Sequence, residues 1–84
     1  MPEICRFLGI TIKMYYNDHE PPHFHAEYGD YRIKVTFDGI VEGRFPKRAL
    51  GFVLEWGELR KHELEEDWKL AKERRPLKSV APLE

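Results

Sequence analysis

"HFHAEYGDYRIKVTF", residues 23–37, consists of two runs of alternating apolar and polar side chains joined by Gly29-Asp30. Alternation with period two sends successive side chains to opposite faces of a strand, and a two-residue glycine-containing connection suits the tight turn of a β-hairpin. That turn length sets the pairing. Tyr28 falls opposite Tyr31, Glu27 opposite Arg32, Ala26 opposite Ile33, His25 opposite Lys34, Phe24 opposite Val35 and His23 opposite Thr36. Phe24, Ala26, Tyr28, Tyr31, Ile33 and Val35 then share an apolar face, and His23, His25, Glu27, Arg32, Lys34 and Thr36 share a polar one. A slip of one residue would turn Phe24 and Val35 into water, so burial itself selects this register. The two histidines are accordingly expected to point away from the core.

Upstream, "ITIKMYY" from Ile10 continues the alternation, with Ile10, Ile12, Met14 and Tyr16 on one face and Thr11, Lys13 and Tyr15 on the other. "ICRFL" reads as a short strand or lead-in, with Gly9 bending the chain after it. Between the strands, "NDHEPP" is a loop, because Asn and Asp favour turns while Pro21 and Pro22 have no N–H to donate to a ladder.

Downstream, Asp38-Gly39 signals another turn into "IVEGR". A two-residue connection there would set Val35 against Glu42 and Thr36 against Val41, so a bulge, a longer loop or an edge position is expected. Pro46 suits the first position of a helix, where its missing N–H costs nothing. From there to Arg74, Leu50, Val53, Leu54, Gly57, Leu64, Trp68 and Ala71 form a recurring stripe. Gly51 and Gly57 mark either close approach to the sheet or a break into two helices. Arg74-Arg75-Pro76 ends the helical region and leaves a tail with a short strand. The expected architecture is a single α+β domain, β-rich over 3–45, helical over 46–74 and a tail over 75–84. In it, a small antiparallel sheet of three or four strands carries one long or broken helix on one face.

The 84 residues include 14 basic and 15 acidic side chains, a balance that does not indicate nucleic acid or a membrane surface as partner. The lone cysteine, Cys5, allows no internal disulfide and reads as a packed thiol. The N-terminal stretch has neither a signal-peptide layout nor an apolar run of membrane length, so a cytoplasmic location is expected.

Chemistry concentrates in residues 17–31. His23 and His25 are two positions apart on one strand, so their Cα atoms lie roughly 6 to 7 Å apart and both rings could reach one divalent metal such as zinc. His19 or Glu27 could supply a third ligand, although Lys34 opposite His25 opposes a bound cation. Without metal, His19, His23 and His25 could move protons while Lys13, Arg32 and Lys34 neutralise phosphate, as hydrolysis of a phosphodiester requires. As a binding surface, Lys13, Tyr15, Arg32 and Lys34 would face a partner protein. The plain alternative is a decorated hairpin, with solvated histidines and a Glu27/Arg32 cross-strand ion pair.

Three stretches, "GITIKMYYNDHEPPHFHAEYGDY", "FPKRALGFVLEW" and "WKLAKERRPLKSVAPLE", resemble a bacterial family of unknown function, number 4160 of the domain-of-unknown-function series. His19, Pro22, His23, His25 and Tyr28 match the family-like block. The resemblance implies no established activity. It does imply a gene lying beside a second small domain, family 2442 of the same series, in a toxin–antitoxin-like pair. The expectation is therefore a small cytoplasmic bacterial interaction or regulatory module acting through the histidine loop and hairpin face, with a family-2442-like protein as partner. The alternative is a metal-dependent or metal-free hydrolase or nuclease using the same histidines.

Overall fold

The structure, a computed structural model, describes residues 3–16 and 18–83. Five strands and two helices follow in order: β1 (Glu3–Phe7), β2 (Ile10–Lys13), β3 (His23–Tyr28), β4 (Tyr31–Thr36), β5 (Val41–Arg44), α1 (Lys47–Leu59) and α2 (Lys61–Lys72). The strands form one antiparallel meander in the order β1-β2-β3-β4-β5. The α+β class is as expected, but the sheet has five strands rather than three or four, and the helical region, expected as one long or broken helix, is two helices.

The central hairpin adopts the expected register at all six pairs, from His23 opposite Thr36 to Tyr28 opposite Tyr31. "ICRFL" is a full strand, because Leu8 and Gly9 both take positive φ (51° and 77°) and reverse the chain directly into β2. Ile10, Ile12 and Met14 are buried as expected, whereas Tyr16 lies past the end of β2 and is exposed. Tyr28 and Tyr31 are also exposed, since they flank the turn at the sheet's far end; Tyr28 packs instead on the ring of Phe45.

β5 sits at the sheet edge after a four-residue loop, which sets Val35 opposite Val41 and Lys34 opposite Glu42. The loop closes through Thr36, whose N–H donates to Ile40 O and whose hydroxyl accepts from the Ile40 N–H. Gly43 in β5 has φ +112°, and a Cβ there would lie 2.6 Å from the Arg32 carbonyl oxygen, so no larger residue fits.

α1 and α2 cover one face of the sheet. Val53, Trp56, Leu64 and Trp68 bury themselves against Ile10, Ile12, Phe24, Ala26 and Val35. Gly57 marks close approach, since a Cβ there would stand 3.3 Å from the Phe24 ring, whereas Gly51 faces open space. The break falls later, at Arg60, whose φ of −106° and ψ of 17° separate the helices. Among the described residues the tail forms no strand. Its Val80 N–H gives one hydrogen bond to Ile4 O on the β1 edge, and it is anchored by Trp56 Nε1–H to Ala81 O and by the Lys78 N–H to buried Asp67. Cys5 is a buried thiol pushed to higher pKa by that burial. No described helix is long and apolar enough to cross a membrane.

The opposite face of the sheet carries no helix among the described residues. This one-sided packing leaves Lys13, Tyr15, His25, Glu27, Arg32 and Lys34 on an open surface.

Candidate functional site

The β2–β3–β4 pairing builds the open face. Lys13 and Lys34 flank His25 on either side, and Glu27 stands between Thr11 and Arg32. Tyr15 meets His25 edge-on, with ring centroids 4.6 Å apart. Together with Glu27, Arg32, Lys34 and Glu42 they line a shallow cleft of about 490 Å³. Both lysines turn toward carboxylates. Lys13 Nζ lies 3.1 Å from Glu27 and Lys34 Nζ lies 3.8 Å from Glu42. Glu27 therefore pairs with Lys13 rather than with Arg32, which faces Arg44 across the ladder.

At one end of this face the loop before β3 brings in a residue that the sequence reading treated only as a turn former, Asp18. Its Oδ1 accepts the His19 N–H at 2.9 Å, fixing the carboxylate as the cap of its own turn. Its Oδ2 lies 2.8 Å from His23 Nε2 and 3.5 Å from His25 Nε2. One ligand-type atom from each of Asp18, His23 and His25 lies within 4.8 Å of the other two.

His23 departs from the expectation of a solvated ring. Its side chain has the parity of the open face, but it is only 2% exposed. The cause is its place at the first residue of β3, where α2 reaches past the sheet end. The Trp68 ring packs on it at 5.3 Å, and Lys72 holds the loop down by donating to the Asp18 carbonyl at 2.7 Å. Lys72 also lies over Trp68 and 3.5 Å from Glu20.

The hydrogen bonds of His23 specify its protons. Nδ1 lies 2.7 Å from Pro21 O, which can only accept, so Nδ1 carries a hydrogen. Nε2 faces the Asp18 carboxylate, which when ionised also only accepts. A hydrogen lies between Nε2 and Oδ2, and a metal cation could take its place. Asp18 itself is ionised more readily than usual. Burial pushes its carboxyl up, but the His19 N–H and the hydrogen bond and charge of His23 outweigh this and bring it down.

His25 is different. Burial lowers its pKa, only partly offset by Asp18, and neighbouring His23 and Lys34 lower it further, which favours the neutral ring. Its Nε2 is buried, and at 3.5 Å from Oδ2 it makes no hydrogen bond.

The candidates named from sequence thus separate. His23 and His25 converge, as expected for chelation, but the third member is Asp18. The His19 side chain is 88% exposed, with its backbone N–H bonded to Asp18 Oδ1 and its Nδ1 3.5 Å from the same oxygen, and Glu27 is engaged by Lys13. Asp18 carried one signal, a carboxylate five residues before His23 in a turn-forming loop. Composition alone cannot tell a carboxylate that caps its loop from one that also folds back onto the next strand. The arrangement can hold a cation between two imidazoles and a carboxylate, or exchange protons at the mouth of a charged cleft.

A family model described as "Domain of unknown function (DUF4160)" matches residues 9–69, which contain β2 to β5, α1, most of α2 and all three clustered residues. No curated protein and no solved structure matches the chain.

Proposed function

We propose, for a chain that belongs to the DUF4160 family over residues 9–69, that it is a small interaction module, one component of a toxin–antitoxin-like or regulatory two-gene pair, and that its open sheet face receives a small protein partner of the family-2442 type. The observation that carries this reading is the one-sided sheet. The helices cover the chain's apolar surface on one face, and the other face presents charges paired in opposite sign, Lys13 with Glu27 and Lys34 with Glu42, around a shallow cleft. Charges so paired suit a polar protein surface, which can exchange ion pairs in register, better than a polyanion, which would have to break them. The exposed β5 edge, with Ile40 63% exposed beside it, adds a place where a partner strand can pair.

One observation favours a second reading, a hydrolase or nuclease: the neutral, buried His25 Nε2 held beside the Asp18 carboxylate at the rim of the same cleft. Co-expression of the chain with the family-2442 protein from an adjoining gene separates the two. The interaction reading expects one co-eluting complex by size exclusion, growth slowed by one protein alone and restored by both, and no cleavage of a phosphodiester probe by the free chain. Separate elution with unaffected growth defeats it, and cleavage that disappears in His25→Ala replaces it with the hydrolase.

A further inference from the structure

We infer that Asp18, His23 and His25 form a binding site for one first-row divalent cation, zinc foremost, with Asp18 Oδ2 and the two Nε2 atoms as ligands. The site does not depend on which partner the open face receives. Three features support it beyond the clustering of ligand types. The spacing is close: ligands about 2.0 to 2.1 Å from a tetrahedral zinc lie about 3.3 Å from one another, Oδ2 lies 2.8 and 3.5 Å from the two imidazole nitrogens, and the three ligand atoms all lie within 4.8 Å of one another, so binding needs a modest shift of the side chains. The orientation of His23 is fixed from behind, because Nδ1–H donates to Pro21 O, the outer hydrogen bond that imidazole ligands of metals almost always make. Finally, His25 Nε2 is a buried nitrogen aimed at the carboxylate without a hydrogen-bond partner among the described residues, and a cation between them would satisfy it.

The donor set decides the class of ion. Two imidazoles and one carboxylate suit zinc and its first-row neighbours, whereas magnesium and calcium prefer all-oxygen shells. The ammonium of Lys34, which disfavours positive charge at His25, is partly offset because it turns toward Glu42, and Lys13 turns toward Glu27. Lys72 approaches Asp18 at its backbone carbonyl and the His19 N–H bonds Oδ1, leaving Oδ2 to the cluster. Three protein ligands leave a fourth position of the bound ion for water or a partner's side chain.

The test is titration of the untagged, metal-stripped chain with zinc against a chromophoric chelator, and with cobalt(II) read by its visible absorption. The expected result is one equivalent of either metal, with affinity lowered at least about 100-fold in Asp18→Asn and in His25→Ala, both checked as folded by circular dichroism. His19→Ala and Glu27→Gln bind as the parent does. Parent-like binding by His25→Ala and Asp18→Asn, or loss of binding in His19→Ala or Glu27→Gln, overturns the assignment. So does the absence of a stoichiometric site in the parent.

Discussion

Trp56→Ala is expected to unfold most of the population well below the parent's melting temperature. Trp56 is fully buried at the point where every layer meets: it packs on Phe7 of β1 and Phe24 of β3, and its indole N–H reaches Ala81 O in the tail. Removing the indole from such a position costs about 3 to 5 kcal/mol, from lost transfer energy and the cavity left behind. A chain of 84 residues has in total about 4 to 13 kcal/mol. Thermal unfolding followed by circular dichroism should therefore show a midpoint lowered by more than about 12 °C. Trp56→Phe keeps most of the packing and loses the hydrogen bond, and should fall between the two. A Trp56→Ala midpoint within a few degrees of the parent would mean that the tail and the helices do not share one core.

The second large effect separates two residues that look equivalent in sequence. His23 and His25 occupy the same face of β3, yet His23→Ala should cost about 2 to 3 kcal/mol and His25→Ala less than about 1 kcal/mol. Losing the His23 ring leaves Pro21 O without its donor, removes the hydrogen-bond partner of Asp18 Oδ2 and opens a gap beneath Trp68. Losing the His25 ring removes a half-buried group whose Nε2 makes no hydrogen bond. Urea unfolding of the two variants in metal-free buffer measures the difference directly. Equal losses would show that the His23 hydrogen bonds do not hold the loop.

That contrast marks where the sequence ceased to be readable. The hairpin was legible to the residue, because a two-residue turn and strict alternation leave only one register that buries Phe24, Ala26, Ile33 and Val35. The β5 register was not, because its loop is closed by the Thr36 hydroxyl and backbone over four residues rather than by the Asp38-Gly39 pair alone. The helix break at Arg60 lacks any glycine or proline signal, whereas Gly57, which had one, serves contact with Phe24. Strand parity placed His23 on the correct side of the sheet but could not show that α2 extends far enough to wall it in with Trp68 and Lys72. Asp18 escaped notice for the same reason: its partners are fixed by tertiary folding of the loop, not by a local pattern. What folding spends on this end of the molecule is a buried imidazole and a carboxylate, groups that a hairpin alone does not need.

On the proposed reading the open face, with the Asp18–His23–His25 cluster at its end, is the working surface of the chain. The decisive measurement is a map of backbone amide chemical shifts on addition of the family-2442 protein proposed as partner. The perturbed resonances are expected to be those of Lys13, Tyr15, His25, Glu27, Arg32 and Lys34, and Arg32→Glu/Lys34→Glu to abolish the perturbations. Perturbations confined to the outer surfaces of α1 and α2, with β2 to β4 unchanged, would contradict it.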